Sequence, residues 1–338
     1  MTQRVTIVDV AAAAGVSISS VSSALNGRPG VSERTRARIR RTADDLGFVP
    51  SLRGRSLSAR RAFAVGLVVH RDPAVLGSDP FFGGFIGGLE QVLDPAGYAL
   101  ILQIGASRGD TLDRYRRLAG DRRVDGVVLD ELVVDDPRLP LVQGLGLPAV
   151  AVNPEPGCAL PAVRQDDAGG VAELVAHLVG LGHRRFAHVA GPARMVHAVH
   201  RAAVWRAALR AAGQDPGVVV EADFTYGGGA RAAAVLLGRP DPPTAVFCAN
   251  DLAAIGFVAE ADRRGRRVPE DLSVAGFDGI ELGAYVRPGL TTLTTTPHVI
   301  GAAAARLLLA AVEGTAGEDV RVAPAHLLVR GSTGPAPG

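Results

Sequence analysis

The chain has 338 residues, of which 47% are hydrophobic and 21% charged, and its formal net charge is +2. This length allows two or three domains with sizeable cores. The two cysteines, Cys158 and Cys248, are too few for a disulfide framework or a zinc site, so we expect buried, inert thiols and a cytoplasmic location. No apolar run approaches the ~18–20 residues of a membrane span, and Asp9 interrupts the Ala-rich run that could be mistaken for a signal peptide.

The chain contains no lysine, so all 36 of its basic residues are arginines. A Walker A lysine and a Schiff-base lysine are therefore excluded, and the run Gly227–Gly229 is not a phosphate-binding loop. The HExxH, CxxC and GxSxG patterns are also missing from the sequence. We therefore expect no enzyme activity, no metal site and no cofactor.

The segment 6–26 is the most informative part of the chain. Thr6 and Asp9 have the spacing of a capping box, which satisfies the free N–H groups at a helix start. Gly15 stands where that helix must end, because glycine adopts the left-handed conformation without steric cost. The predicted buried positions of this first helix are Val10, Ala13 and Ala14.

A second helix is predicted to begin after Ser17, an N-cap candidate, with Val21 and Leu25 as its buried stripe. A third helix begins at Ser32 and ends at Gly47. The second helix then has a short, mostly polar exposed face: Ile18, Ser19, Ser20, Ser22 and Ser23. This layout is typical of a helix-turn-helix that inserts its second helix into the DNA major groove, although an ordinary small α-hairpin has a similar pattern.

The charge distribution favours the DNA-binding interpretation. Residues 1–61 contain eleven arginines and four acidic residues, a net charge of +7, whereas the remaining 277 residues have a net charge of −5. A basic head on a mildly acidic body is typical of a nucleic-acid-binding module joined to a different domain. A basic face that is merely solvated would not explain this asymmetry.

From Phe63 onward, short β-rich runs alternate with helical stretches, which predicts parallel sheets with helices on both faces. The predicted strands are Ala64–His70, Tyr98–Ile104, Gly126–Asp130, Pro148–Val152, Phe186–Ala190, Val218–Glu221, Thr244–Ala249 and Leu272–Phe277. The predicted helices cover 82–93, 109–119, 167–180, 197–212, 227–237, 251–264 and 298–313. These are more strands than one compact sheet usually has, so we expect two lobes that separate near Arg164, with a ligand between them.

Ordered sequence blocks along the chain give it a resemblance to the LacI/GalR family of transcriptional repressors over almost its whole length. The blocks are TIVDVAAAAGVS (6–17), ALNGRPGVSERTRARI (24–39), GFVPSLRGRSL (47–57), GLVV (66–69), DPFF (79–82), VDGVVL (124–129), LGHRRFAHVAGP (181–192), TAVFCANDLAAIG (244–256), VPEDLSVAGFD (268–278), PGLTTL (288–293) and VRGST (329–333).

The resemblance implies an α/β fold in which an all-α helix-turn-helix headpiece precedes a two-lobed core similar to periplasmic binding proteins. The implied parts are the headpiece (1–49), a hinge that is helical on DNA (50–61), lobe one (62–163 and 294–322), lobe two (164–291 and 324–333) and a disordered tail (334–338). In this fold the chain crosses between the lobes three times, and we expect residues 290–293 to form one of the crossings.

For DNA, the resemblance implies base contacts and backbone contacts. The base-contacting positions are Ile18, Ser19, Ser23 and the hinge residue Leu57, which would wedge open a base step in the minor groove. The phosphate-contacting positions are Ser17, Ser22, Ser32, Arg34 and Arg55. Two alternatives stay open: Ile18 packs inside the headpiece, or residues 50–61 form a flexible linker without a wedge.

For the effector, the resemblance implies the cleft residues Phe81, Phe82, Asn153, Arg201, Phe224, Asn250 and Asp278. Apolar faces combined with directional polar groups favour a sugar, and the same set suits a purine. Core packing is the alternative for each aromatic, and a structural ion pair is the alternative for Arg201 and Asp278. Gly279 and Thr295 depart from the acidic residue and the glutamine that are common in the family, so the effector is not identified.

We therefore expect a sequence-specific repressor that binds operator DNA of pseudo-palindromic sequence and responds to a small-molecule effector. The ending RGSTGPAPG has no leucine heptads, so a homodimer is expected rather than a tetramer. The alternatives are a solute-binding protein without DNA function and a DNA-binding protein whose core binds no ligand.

Overall fold

The computed structural model describes residues 5–25, 27–48, 59, 61–70, 79–105, 107–315 and 317–338. The chain divides into two compact units, Met1–Phe63 and Ala64–Gly338, and each is described separately. No single helix among the described residues is long and apolar enough to cross a membrane. The helices Ile7–Ala14 and Ile18–Leu25 meet that criterion only together, as a pair bent by 103°.

The first unit contains the three helices that the sequence predicted: α1 (Ile7–Ala14), α2 (Ile18–Leu25) and α3 (Glu33–Asp45). The predicted capping box is confirmed, because the Asp9 carboxylate accepts hydrogen bonds from the backbone N–H of Thr6 at 2.8 Å and from its hydroxyl at 2.7 Å. Gly15 ends α1 in the left-handed conformation with a φ of 62°, as predicted.

The buried stripes of these helices differ in detail from the prediction. In α1, Ala11 is buried and Ala13 is exposed, whereas the sequence predicted Ala13 in the core. The helix packs against both α2 and α3, and this places Ala11 in the core. In α2, Ala24 is fully buried and Leu25 only half-buried. The core of the unit consists of Val10, Ala11, Ala14, Val21, Ala24, Ile39 and Ala43.

The second unit contains two six-stranded sheets, which define two lobes. The first sheet has the strand order β11-β5-β4-β3-β1-β2, and the second has the order β12-β10-β9-β8-β6-β7. The strands are β1 (Ala64–Val69), β2 (Ala99–Ile104), β3 (Gly126–Leu129), β4 (Ala149–Val152), β5 (Ala162–Gln165), β6 (Phe186–Ala190), β7 (Val218–Glu221), β8 (Ala245–Cys248), β9 (Ser273–Asp278), β10 (Thr291–Thr294), β11 (Val320–Val322) and β12 (His326–Leu328). Every strand pair is parallel except β10 with β12.

Helices pack on both sheets. They are α4 (Pro80–Leu93), α5 (Arg108–Gly120), α6 (Arg138–Gly144), α7 (Ala168–Gly180), α8 (Val196–Ala211), α9 (Tyr226–Leu237), α10 (Asp251–Arg263), α11 (Leu282–Tyr285) and α12 (Pro297–Val312). Although α12 follows the second sheet in sequence, it packs on α4 and on β3, β4 and β5. The chain therefore returns to lobe one before β11.

All eight predicted strands are present, each within one residue of its predicted ends. The additional strands β5, β10, β11 and β12 and the short helices α6 and α11 were not predicted. The first two crossings between the lobes were expected near Arg164 and at residues 290–293. Both fall a few residues later, because β5 continues through Arg164 to Gln165 in the first sheet and β10 stays in the second sheet through Thr294.

The triple-glycine run lies in the first turn of α9 rather than in a loop. A Cβ atom on Gly229 would collide with the backbone of Ala253 in α10, and one on Gly256 with the backbone of Tyr226. These glycines therefore allow α9 and α10 to pack closely. Of the two cysteines, Cys248 is buried as expected, whereas Cys158 is only half-buried because it lies in the turn between β4 and β5.

Candidate nucleic-acid interface and effector cleft

In the second helix of the headpiece, only two of the five residues predicted to be exposed are exposed, and Ser20 is half-buried. Ile18 is 48% exposed and Ser19 is exposed, whereas Ser22 and Ser23 are half-buried. The exposure of Ile18 excludes the alternative that it packs inside the headpiece. The DNA contacts of these four residues stay predictions.

Two helix N-termini of the headpiece carry exposed serine hydroxyls. Ser17 Oγ accepts a hydrogen bond from the Ser20 N–H at 3.1 Å, and Ser32 Oγ accepts one from the Thr35 N–H at 3.3 Å. Arg34 is exposed two residues after Ser32. Helix N-termini attract phosphate groups, because N–H groups and the helix dipole favour negative charge there. The predicted contacts of Leu57 and Arg55 lie outside the described residues.

A small cavity of about 60 Å³ lies between the two lobes, at the C-terminal ends of strands from both sheets, and we name it the inner pocket. Six of the predicted effector residues line it: Phe81, Asn153, Arg201, Phe224, Asn250 and Asp278. Its other walls include Asp79, Asp130, Glu131, Leu132, Gln165, His197, Thr295 and Ile300. The fold therefore brings together residues that are distant in sequence.

Phe82 is not among the residues that line the inner pocket. Its side chain is 2% exposed and contacts the ring of Phe81 edge-on, with the ring centroids 5.7 Å apart. Successive helical residues point about 100° apart, so in α4 Phe81 faces the pocket while Phe82 faces the core. The cleft-edge position expected for Phe82 is corrected to a core position.

Arg201 is held rigidly in the pocket wall. Its guanidinium carbon lies 3.5 Å from the ring centroid of Phe277, a cation–π arrangement, and Nη1 donates to the carbonyl of Ala249 at 2.8 Å. Its Nε lies 3.5 Å from Oδ2 of Asp167, so Arg201 does take part in a structural ion pair. Burial raises the pKa of Asp167, but the hydrogen bond from His200 and the charge of Arg201 outweigh burial and hold this pKa below its usual value.

Asn250 positions Phe224. Its side-chain Nδ2 donates to the Phe224 carbonyl at 2.9 Å, while Oδ1 accepts from the Ala253 N–H at 3.1 Å and caps α10. Phe224 has a φ of 64°, a left-handed conformation that is unusual for an aromatic residue. The amide of Asn250 thus stabilises the strained backbone that places the Phe224 ring in the wall.

Left-handed backbone is concentrated around the inner pocket. Among the described residues, seven non-glycine residues have a positive φ, and four of them line this pocket: Glu131, Asn153, Phe224 and Asp278. Each such residue costs about 1–3 kcal/mol and is retained only where its surroundings fix it. Strain of this kind is typical of ligand-binding sites and supports a functional role for the pocket.

Asp251 lies behind the pocket wall and is fully buried. Its Oδ1 accepts from the Thr292 hydroxyl at 2.6 Å, and its Oδ2 accepts from the Ile280 N–H at 2.8 Å. Burial raises the pKa of Asp251 to about 7. These bonds connect the start of α10 to the loop after Asp278 and fix that loop against the sheet.

His197 is a pocket residue that the sequence analysis missed. Its ring stacks on Phe224, with a centroid distance of 5.2 Å and an interplanar angle of 26°. His197 lies four residues before Arg201 in α8, so helical spacing places both on one face, and this spacing could have identified it. The pocket thus offers aromatic faces, carboxylates, amides and one guanidinium, which suit the CH face and hydroxyl groups of a sugar.

A backbone bridge joins the two lobes beside the inner pocket. Val133 pairs with Met195 in an isolated antiparallel bridge. The Val134 N–H donates to the Arg194 carbonyl and the Val196 N–H to the Leu132 carbonyl, both at 2.9 Å. The cleft is therefore closed along this edge.

The two units together have the architecture of a DNA-binding regulator with a solute-binding core. Residues 6–51 match the model of bacterial regulatory proteins of the lacI family, and residues 175–333 match the periplasmic binding protein-like domain. The HTH-type transcriptional regulator CelR of Thermobifida fusca is 36% identical over 336 residues, which cover 98% of both chains. The chain belongs to the LacI family of transcriptional regulators.

Solved structures agree with this assignment. The transcriptional regulator CelR–cellobiose complex has a TM-score of 0.75 and 36% identity, and the match covers 97% of this chain and 100% of that chain. The Lac repressor dimer bound to operator and the anti-inducer ONPF has a TM-score of 0.85 and 25% identity, and the match covers 98% of this chain and 100% of that chain.

Proposed function

We propose that the protein is a homodimeric repressor that binds a pseudo-palindromic operator and is controlled by a sugar or sugar derivative in the cleft between the lobes. The observation that carries the effector part is the meeting of six predicted cleft residues in one cavity between the lobes. Phe81 and Phe224 supply apolar faces, and Asn153, Arg201, Asn250 and Asp278 supply directional polar groups. The cellobiose bound by the related CelR supports a sugar over a purine.

The DNA part of the proposal rests on the headpiece. An exposed Ile18 can contact a thymine methyl group, and an exposed Ser19 can pair with either a donor or an acceptor on a base edge. Ser17, Ser22, Ser32 and Arg34 would contact phosphates, as would Arg55 of the hinge, and Leu57 would act as the minor-groove wedge. Because these side chains discriminate bases only modestly, backbone contacts and the hinge contribute much of the affinity.

The homodimer is supported by the Lac repressor structure that this chain resembles, which is a dimer bound to operator. Two headpieces on one dimer would bind the two halves of a pseudo-palindromic operator.

The test is fluorescence anisotropy of the full chain on DNA from its own gene neighbourhood, with sugars, sugar phosphates and nucleobases titrated in. We expect tight, salt-sensitive binding that a sugar weakens or strengthens. Release by nucleobases alone would replace the sugar with a purine, and insensitivity to every compound would indicate a core without a ligand. A failure to bind DNA would contradict the repressor assignment.

A further inference from the structure

One buried carboxylate, that of Asp167, lies between two basic side chains of α8. His200 Nε2 lies 2.8 Å from Asp167 Oδ1, whereas Arg201 Nε lies 3.5 Å from Asp167 Oδ2. Arg201 Nε is buried and has no hydrogen-bond partner among the described residues. A charge-assisted hydrogen bond usually spans about 2.7–2.9 Å. The carboxylate is therefore bound more closely to His200 than to Arg201.

The two basic side chains differ in their access to water. The side chain of His200 is 54% exposed, whereas those of Asp167 and Arg201 are 9% and 13% exposed. His200 can exchange a proton with the solvent, whereas the guanidinium of Arg201 is always charged. A proton lost or gained at His200 therefore changes the charge next to a buried carboxylate, where electrostatic interactions are stronger than in water.

The surroundings of His200 place its change of charge near neutral pH. The hydrogen bond to Asp167 raises the pKa of His200 above its usual value of 6.5, and Asp166 adds to this effect. Partial burial and the charge of Arg201 act in the opposite direction. His188, on the strand β6 that α8 contacts, stays neutral in this range, because burial lowers its pKa to about 4.

Other charged or titratable groups surround this cluster. Those of α7 and α8 are Glu173, His177, His197, Arg206 and Arg210. Glu173 and His177 are bonded elsewhere, to the Leu327 N–H at 3.1 Å and the Thr333 hydroxyl at 2.9 Å. The carboxylates that line the inner pocket together with Arg201 are those of Asp79, Asp130, Glu131 and Asp278.

Asp167 also lies where two crossings between the lobes meet. It follows Gln165, the last residue of β5 at the first crossing, and it precedes α7. The carbonyl of the neighbouring Asp166 accepts from the Ala325 N–H at 2.9 Å, at the third crossing, between β11 and β12. A movement of the Asp167 side chain would therefore act on the segment that joins the first crossing to the third.

We propose that His200 and Arg201 compete for the carboxylate of Asp167, so that protonation of His200 controls the anchoring of Arg201 and, through the crossings, the affinity for operator DNA. With His200 protonated, the carboxylate stays on His200, and Arg201 is anchored by Phe277 and the Ala249 carbonyl. After His200 releases its proton to the solvent, the carboxylate moves to Arg201 Nε. This inference rests on the proposed function, because it concerns the regulation of the same cleft.

The first readout is nuclear magnetic resonance of the full chain labelled in histidine and arginine, titrated from about pH 5.5 to 8.5. We expect the Nε–H signal of Arg201 to shift with the same midpoint as the imidazole of His200, because both groups contact one carboxylate. His200→Gln should abolish the shift of Arg201, and Asp167→Asn should lower the midpoint of His200. His298→Gln, which removes an exposed imidazole of α12, is the matched control.

The second readout is operator affinity over the same pH series. Residues 1–61 contain no histidine, so a histidine effect on DNA binding must originate in the core. Fluorescence anisotropy at constant salt, with DNA from the gene neighbourhood as the probe, measures this affinity. We expect the affinity of the wild-type chain to change about fivefold or more across the titration, the usual lower range for coupling between sites. His200→Gln should remove that change, and His298→Gln should retain it.

Two results would overturn the inference. An Arg201 signal that stays constant while His200 titrates would exclude the competition. An equal dependence of operator affinity on pH in the wild-type chain and in His200→Gln would exclude the regulatory role. If no DNA is bound at any pH while the two signals still share one midpoint, the proposed function fails and the competition for Asp167 stands.

Discussion

The ion pair between Asp136 and Arg138 anchors the loop that carries the inter-lobe bridge. Nη2 of Arg138 lies 2.6 Å from Asp136 Oδ2, and Nε lies 3.0 Å from both carboxylate oxygens. Nη2 also donates to the Glu131 carbonyl at 2.9 Å, and Asp136 Oδ2 accepts from the Val133 N–H at 3.0 Å. The side chains of Arg138 and Asp136 are only 7% and 1% exposed. Replacement of Asp136 by alanine would therefore leave a buried guanidinium without its counter-charge.

The size of the stability loss in the Asp136→Ala variant depends on the burial of the ion pair rather than on the distance between the two charges. Removal of one partner of a buried ion pair costs about 3–5 kcal/mol, because the remaining charge stays desolvated. Arg116 and Asp113 form an ion pair at the same 2.6 Å, but these side chains are 54% and 57% exposed. An exposed pair of this kind contributes about 0–1 kcal/mol. We therefore expect Asp136→Ala to lower the free energy of unfolding by about 3 kcal/mol more than Asp113→Ala does.

Urea denaturation followed by far-UV circular dichroism measures both variants in the full chain. The double variant Asp136→Ala/Arg138→Leu should recover much of the loss, since an apolar replacement of a whole buried pair is often neutral. Two results would refute the reasoning: equal losses in the two single variants, or a double variant that is less stable than Asp136→Ala.

Three further predictions concern pH and DNA. Burial raises the pKa of Asp251 from 3.8 to about 7. The free energy of unfolding should therefore fall as pH rises through this range, by at most about 1.4 kcal/mol per pH unit. The Asp251→Asn variant should lack this dependence on pH. Burial lowers the pKa of His188 from 6.5 to about 4, so stability should fall on acidification between these values, and His188→Gln should abolish that loss. Urea unfolding at a series of pH values measures both, and unchanged slopes would contradict them. Leu57→Ala should weaken operator binding about tenfold or more while affecting non-specific binding little, and equal losses in anisotropy would argue against a wedge.

The sequence predicted the central strands well, and it missed the edge and crossing strands for a physical reason. The central strand β1 reads AVGLVV and is buried along its whole length, so its apolar run is a strong signal. By contrast, β5 ends in Arg164 and Gln165, and β11 has only three residues, none of them fully buried. Strands of this kind are specified by their neighbours in the sheet rather than by their own composition.

The candidate site also contains features that the sequence could predict and features that it could not. Family spacing predicted Arg201 and Asn250 as pocket residues, and both line the inner pocket. Local sequence could not predict that the amide of Asn250 fixes the backbone of Phe224, or that Arg201 stacks on Phe277, because each contact depends on packing between separate elements. The burial that raises the pKa of Asp251 is likewise a property of the assembled fold.

The crossings between the lobes lie directly beside the inner pocket. Asn153 Oδ1 accepts from the Gln165 N–H at 2.8 Å, at the first crossing, and the Asp278 carbonyl accepts from the Thr295 N–H at 3.2 Å, at the second. Gln165 also donates from Nε2 to the Ala323 carbonyl at 3.0 Å, which connects the first crossing to the third. All three crossings are thus one or two hydrogen bonds from a pocket wall.

Asn153 and Asp278 are also two of the left-handed residues in that wall, with φ values of 46° and 111°. Their strained backbones are fixed by the same bonds that join them to the crossings. A ligand that contacts either side chain would therefore act on these crossings directly, without a relay through the cores of the lobes. A change of lobe angle must alter these few bonds, because they join the wall of the inner pocket to the crossings.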